Sequence, residues 1–599
     1  MFTTSNVLSD DNDSIFADHD PAYEKMLSQR RRHPHEYNIN DGALVHPPTL
    51  PRVDVDVLAE RGRDSPSSFG SVEVMRLFVI GDWGGPGHQP QRDVARAMTD
   101  RWQRMRRQWP SCQSVVRSAK EDNNEKRNPG RAVPFSPLFY VVSTGDNMYE
   151  DGVASIKDIK FQRNFEKVYT TTTEVDAATG LRPPPMLLDG QVGDGGRAAT
   201  FPGDLTGVHG GDASHGGDAG SFIATVQTVG YSTDSADSEL EGGKLSEFTL
   251  PISLLSSGVS AVPFRETVNA TTRRRPPPDR CAFEAIPWML VLGNHDHGAH
   301  GTFRDVMAQV NYSRLSPRWF MPSTYFHQSF RVNFASVEEH DGEGAALEGR
   351  VAPSSAPAVT RNDVMHVDII FLDSYDITPY ASHMTPHQLR WLRRTLRRIA
   401  DRDRDAEEKQ QPSTTTTTAT NVKSHRRCRI AVGHRPMVSV GTKHADSPFF
   451  QKALLPLFHA FNVSVFLSGD DHNLQVIREE ERVRNESGNH PHDHDHDTGG
   501  GGGVLHVVSG AGARAKNAFK TQVLGPSHWQ AMRRRRGRHG QKGGTDDGSD
   551  SWWAHWEPSL QFVSGKHGFV DVALRLDGTI LGTVVHADGT EAFQFHHPC

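Results

Sequence analysis

Five short stretches of this 599-residue chain carry the side chains from which metal chemistry is built. They are Gly81-Asp82-Trp83-Gly84-Gly85, Gly145-Asp146-Asn147-Met148-Tyr149, Gly293-Asn294-His295-Asp296-His297, Gly433-His434-Arg435-Pro436 and Gly469-Asp470-Asp471-His472-Asn473-Leu474-Gln475. In the second stretch, Asp146 has two oxygens and can bridge two cations. Tyr149 follows three residues later. A phenol with an unperturbed pKa of about 10 binds as phenolate only to a strong Lewis acid such as Fe(III). In the third, the Asn294 amide oxygen can ligate and the His295 imidazole can donate a proton beside a metal. Asp296 is placed to orient that imidazole. Any one of these turns reads equally well as a helix cap. Five in one chain, each with oxygen or nitrogen donors, do not, and donors converging on one rim would build a two-cation site.

Each stretch follows an apolar run that reads as a buried strand ending in a glycine turn. The runs are Met75 to Ile80, Leu138 to Val142, Ile286 to Leu292, Arg429 to Val432 and Val463 to Leu467. Carboxyl ends of strands are where open α/β sheets place ligands. Further strands are expected at Tyr325 to Phe334, Val364 to Leu372 and Val504 to Ser509. An Asp577-Gly578 hairpin should join Phe569–Leu574 to Ile580–Val585, with a last strand near Ala592 to Phe595. Helical spacing marks Gln91 to Gln108, Ile156 to Tyr169, Phe303 to Val310, Thr385 to Ile399 and Phe449 to Ala460.

The composition dilutes this pattern. Only 36% of residues are hydrophobic, with 54 glycines and 36 prolines, so one catalytic domain interrupted by insertions is expected rather than several domains. Residues 1–72 read as a disordered tail and 73–599 as a single domain. Low-complexity insertions are expected at about 172–280, 337–361, 401–425, 479–503 and 514–550. The His/Asp alternation at His492 to His496 and the basic run Arg533 to Arg536 both read as solvated loop. A net charge of −7 argues against a nucleic-acid partner. Four cysteines (Cys112, Cys281, Cys428, Cys599) are too few and scattered for a disulfide framework or zinc cluster. No apolar run reaches the ~18 residues of a transmembrane segment, and the N-terminus shows no secretory signal.

The five stretches together resemble the metallophosphoesterases, and more narrowly the purple, tartrate-resistant type of acid phosphatase. Phe161-Gln162 through Phe165-Glu166, Asn311-Tyr312-Ser313, Arg318-Trp319 and Val508-Ser509-Gly510-Ala511-Gly512 extend the likeness. The resemblance implies an α/β (α+β) fold, with two mixed β-sheets packed as a sandwich and flanked by helices. It implies an Fe(III) site from Asp82, Asp146, Tyr149 and His472. It also implies a divalent site (Fe, Zn or Mn) from Asp146, Asn294, His434 and residue 470. His295 and His444 would donate protons to the leaving alcohol. The implied reaction is hydrolysis of small phosphate monoesters by metal-bound hydroxide, in an enzyme that is secreted or vesicular. A monomer is expected, and an acid optimum follows from the low pKa of water on a trivalent ion and a protonated His295.

Three features depart from the family pattern. Position 470 is Asp where the pattern has His, which adds negative charge and favours harder ions such as Mn(II) or Mg(II). His444 stands one residue further from His434 than the pattern has it. The export signal is missing, although sequons occur at Asn269, Asn311, Asn462 and Asn485. Two other readings follow. One is a phosphodiesterase or nucleotide hydrolase with the same metal pair. The other is a metal-poor pseudoenzyme, disabled by Asp470, that acts as a binding or scaffold protein.

Overall fold

A computed structural model of the chain describes residues 47, 50–60, 72–85, 88–107, 137–170, 223–232, 282–298, 305–337, 360–375, 377, 384–408, 424–441, 448–481, 503–515 and 556–599. Its strands are β1 (Arg52–Glu60), β2 (Glu73–Ile80), β3 (Leu138–Ser143), β4 (Ile223–Ser232), β5 (Trp288–Leu290), β6 (Trp319–Phe320), β7 (Phe326–Val337) and β8 (Thr360–Phe371). They continue with β9 (Ser424–Val432), β10 (Val465–Ser468), β11 (Leu474–Glu481), β12 (Leu505–Ser509), β13 (Trp556–Ser564), β14 (Gly568–Arg575), β15 (Thr579–His586) and β16 (Glu591–Pro598). One sheet has nine strands in the order β13-β11-β12-β10-β9-β8-β7-β1-β4, and the other has seven in the order β16-β15-β14-β2-β3-β5-β6.

Both sheets are mixed. β2, β3, β5 and β6 run parallel along one side of the smaller sheet, from its centre to its edge. β8, β9, β10 and β12 run parallel within the larger one. Side chains from both sheets interdigitate in one apolar layer: Val79, Val142 and Val572 from the smaller sheet share it with Phe330, Ile369, Val432 and Val507 from the larger. Every residue of β3 is buried, as expected of a strand covered on both faces. A first helix, α1 (Gln89–Arg106), lies against the outer face of the smaller sheet through Val94, Met98, Trp102 and Met105. The short helix α2 (Val306–Tyr312) and the aromatics Trp83, Phe165, Tyr169, Trp288 and Trp319 complete that layer. Helices α3 (Met384–Glu408) and α4 (Pro448–Ala460) cover the larger sheet with Leu392, Leu396, Leu454 and Phe458. The result is the sandwich of mixed sheets between helices that the resemblance implies.

Several elements differ from the sequence reading. β1 lies in what composition reads as tail, and β4 in the 172–280 insertion; the two pair antiparallel, with β1 docking parallel on β7. Alternating valines at 53, 55 and 57 supply the strand signal that the surrounding charge obscures. α3 runs on to Glu408, because Arg402 is anchored on Asp368 (2.8 Å) and Asp403 (2.7 Å) and so extends the helix past its apolar stripe. The helix expected over 156–169 is only a π-helical turn, Phe161–Glu166, that brings Phe161 and Phe165 into the aromatic layer. Cys428 and Cys599 pair as a disulfide across 171 residues and tie β9 to the chain segment after β16 in the other sheet.

Replacing Cys599 with Ser should lower stability by about 2–4 kcal/mol, through restored freedom of the unfolded chain. Urea unfolding of the oxidised protein checks this. An unchanged midpoint would mean that the cross-link adds nothing the packed sheets do not already provide.

Candidate metal centre

The parallel strands of the two sheets end at one rim, and the five glycine turns lie along it. The sheets are joined there by Gly81, whose amide donates to the Ser509 carbonyl at 2.6 Å. Three of the carboxylates stand on left-handed backbone: φ is 56° at Asp82, 53° at Asp146 and 64° at Asp470. Aspartate is one of the few residues with a Cβ that tolerates this region. The conformation lets the chain turn within three residues of each strand end. Close approach fixes two glycines. A Cβ on Gly293 would sit 2.2 Å from Asp146 Oδ1, and one on Gly145 would sit 2.7 Å from His434 Nδ1.

Two groups of donors meet at Asp146. On one side its Oδ2 lies 2.6 Å from the Tyr149 hydroxyl, which is also 2.9 Å from Asp82 Oδ1. His472 Nε2 is 3.3 Å from Asp82 Oδ1 and 3.4 Å from the same phenolic oxygen. One donor atom each from Asp82, Asp146 and His472 fall within 4.8 Å of one another. On the other side, Asp146 Oδ1 lies 3.4 Å from His434 Nε2. That nitrogen is 3.1 Å from Asn294 Oδ1 and 3.6 Å from Asp470 Oδ1. Asp470 also approaches Arg435 Nε, at 3.9 Å. His434 Nδ1 lies 2.8 Å from the Thr144 carbonyl, so Nδ1–H donates there and Nε2 is left facing Asp146. Asp82, Asp146, Tyr149, His434, Asp470 and His472 are all buried.

The charge balance of this space is adverse without a cation. Burial pushes the Asp146 carboxyl up to about 6; His434 pulls against that, and Asp82 adds to it. Burial followed by the Asp146 and Asp82 carboxylates holds the Tyr149 phenol well above its usual range. Burial opposes charge on His434, yet Asp146 and Asp470 hold it well above the usual imidazole range. Crowded carboxylates, a phenol and two imidazoles whose second nitrogens point inward fit a pair of hard cations, with one oxygen of Asp146 facing each position.

The remaining candidates sort as follows. His295 donates its backbone amide to Asp146 Oδ1 at 2.9 Å, and its ring packs edge-on to Tyr149 with centroids 4.4 Å apart. Its Nδ1 pairs with the Glu150 carbonyl, which turns Nε2 toward the site, 3.9 Å from Asp146 Oδ2. His444 and the His492–His496 tract lie outside the described residues. Asp296 does not orient the His295 imidazole as the sequence reading has it. Its buried carboxylate instead accepts from the amides of Gly293, Asn147 and Met148 and from Gln309 Nε2, at 2.8–3.0 Å. This locks two of the ligand-bearing turns together. Behind them Trp83 Nε1 donates to Ser143 Oγ, and that hydroxyl donates to Asn147 Oδ1. Ser374, just past β8, accepts from the amides of His434 and Arg435. Asn147 is marked by its place in a glycine turn, whereas Gln309, within α2, and Ser374, past the end of β8, carry no sequence signal for this role.

No protein-family model matches the chain. Tartrate-resistant acid phosphatase type 5 of Oryctolagus cuniculus is 28% identical over 206 residues, 34% of this chain and 48% of that protein. The Homo sapiens protein of the same name is 25% identical over 198 residues, 33% and 47% of the two chains. Purple acid phosphatase 4 of Arabidopsis thaliana is 31% identical over 107 residues, 18% and 22%. The chain thus spans about half the length of the mammalian relatives it matches. Among solved structures, GAP50, the anchor in the inner membrane complex of Plasmodium, aligns over 88% of this chain and 89% of its own, at 13% identity and a TM-score of 0.39. Purple acid phosphatase PPD1 from yellow lupin seeds aligns over 52% and 40%, at 14% identity and a TM-score of 0.25. Among the described residues no helix is long and apolar enough to cross a membrane.

The raised Asp146 carboxyl sets a sign. The folded state holds that proton more tightly than the unfolded chain, so its contribution is full below the ordinary value of 3.8 and is lost as pH rises through about 6. In chelator, stability should fall across that window, and Asp146→Asn, a neutral mimic, should be more stable than the parent at pH 7, by on the order of 2 kcal/mol. Added divalent cation should stabilise the parent and not the variant. Thermal melts with and without EDTA check this; a variant less stable than its parent in chelator would contradict it.

Proposed function

We propose, from the relationship of this chain to the tartrate-resistant and purple acid phosphatases, that it is a dinuclear metal-dependent phosphoesterase acting on small phosphate monoesters. One observation carries the reading: the two oxygens of Asp146 face two separate donor groups, Tyr149 with Asp82 and His472 on one side and His434 with Asn294 and Asp470 on the other. Asp82, Asp146, Tyr149 and His472 would hold Fe(III), and Asp146, Asn294, His434 and Asp470 a divalent ion. Such a pair supplies Lewis-acid neutralisation of phosphoryl charge and a nucleophile at acidic pH.

The chain's own residues do the rest. Tyr149, whose proton burial and the neighbouring carboxylates hold in place, gives it up only to a strong positive charge beside it. Asp296 fixes the turns so that the donors need little reorganisation when a phosphoryl group arrives. His434 stays in the tautomer set by the Thr144 carbonyl. His295, anchored at Nδ1 by the Glu150 carbonyl, presents Nε2 to the departing oxygen and in its protonated form hands over a proton. Asp470 adds a negative charge to the divalent position, which favours harder ions there.

Purified protein should contain two metals, turn over p-nitrophenyl phosphate below neutral pH, and show a visible tyrosinate-to-iron band that Tyr149→Phe removes. Turnover confined to the bis-ester would favour the diesterase reading. No metal and no turnover would leave the scaffold reading. The proton donor has its own signature. His295→Ala should cut kcat about 100-fold or more on an alkyl phosphate, whose alkoxide leaves poorly, and far less on p-nitrophenyl phosphate. Equal losses on both would remove His295 from that role.

A further inference from the structure

Arg514 lies just past β12, in the stretch Gly510-Ala511-Gly512-Ala513-Arg514 at the rim of the donor cluster. Its guanidinium carbon stands 4.0 Å above the centre of the Tyr149 ring. Its Nη2 is paired with Glu150 Oε1. The hydroxyl of that same ring touches Asp82 and Asp146, so the cation lies over the face of the phenol that belongs to the acidic cluster. The Glu150 side chain is 58% exposed and that of Arg514 is 32%. An ion pair this open contributes little to stability, and a stacked guanidinium adds about 0.5–1 kcal/mol at an exposed site. Neither requires an arginine here, yet it sits beside the buried cluster of Asp82, Asp146 and Asp470. The Glu150 main chain is meanwhile committed, since its carbonyl holds His295. Only its side chain is at liberty to let go.

The geometry points to Arg514 as a specificity-determining residue that exchanges the Glu150 carboxylate for a second anionic group on the substrate. The site would then favour phosphate anhydrides, or esters with another negative group close to the scissile phosphorus, over phosphates with a neutral remainder. The planar fork of arginine accepts two oxygens of a phosphate or carboxylate side by side, which a lysine cannot do. The Tyr149 ring beneath it holds the fork at a set height above the reacting centre. This inference rests on the phosphoesterase reading above and names the class of substrate that reading leaves open.

Calorimetric binding of two non-hydrolysable probes to the metal-loaded protein tests it without turnover. Methylphosphonate carries one anionic group and methylenediphosphonate two. Arg514→Gln should weaken the diphosphonate about 10- to 100-fold and the monophosphonate less than about threefold. Arg514→Lys should fall between, because it keeps the charge and loses the fork. Glu150→Gln should tighten the diphosphonate several-fold by freeing the guanidinium. If both probes weaken by the same factor in Arg514→Gln, the residue only supports Tyr149 and the inference is overturned. It is overturned equally if neither probe responds, or if the parent protein does not prefer the diphosphonate. Turnover of p-nitrophenyl phosphate by the same samples reads the phosphoesterase assignment separately. Turnover without probe discrimination sinks only the clamp, and discrimination without turnover sinks only the activity.

Discussion

Burying negative charge next to negative charge is the constraint to which the rest of this structure answers. Asp82, Asp146, Asp470 and the Tyr149 phenol share one space closed to water. Moving such groups out of water is costly unless each has a partner. Partners are supplied from every side. Asp82 Oδ2 takes the Asp470 amide, Asp146 Oδ1 takes the His295 amide, and two imidazoles face the carboxylates. Burial first, and the crowding of carboxylates after it, raises Asp146 and holds the phenol in its protonated form. The backbone shares in the cost, with three aspartates held in a conformation most residues avoid.

Much of the frame was legible in the sequence because its signals are local. An apolar run stopped by Gly-Asp or Gly-His marks both a strand end and a donor. The same turns supply Asp82, Asp146, Asn294, His434, Asp470 and His472. Other features were not legible because their causes are distant. The alternating valines of β1 are set among charges, and the edges it pairs with, on β7 and β4, lie far along the chain. Cys428 meets Cys599 only once two sheets have stacked. Asp296 reads as a partner for the histidine beside it, yet the amides of a turn 149 and 148 residues away claim its oxygens. Arg514 stands at the start of the 514–550 stretch that reads as a low-complexity insertion, and nothing in the sequence there distinguishes it. Sequence specifies which groups are available; packing across the rim decides which ones meet.

The exchange of an imidazole for a carboxylate at position 470 looks at first like damage to the second donor group. The surroundings suggest accommodation instead. His434 lies 3.6 Å from the new carboxylate and Arg435 approaches its other oxygen. Arg514 brings positive charge to the opposite side of the cluster. The negative charge at position 470 thus has an imidazole and a guanidinium of the adjoining turn beside it.

Because the two sheets contribute donors to the same rim, no fragment of the chain holds a whole binding site. Asp82 and Asp146 come from the first third of the sequence, while His434, Asp470 and His472 come from the last. Cations bound there would therefore act as a clasp between the layers, tightening only after both have closed. Affinity for the ions would then double as a gauge of assembly. A sandwich that begins to gape anywhere along its apolar seam would shed its ions before it lost its strands, so dissociation of metal would be the earliest sign of wear.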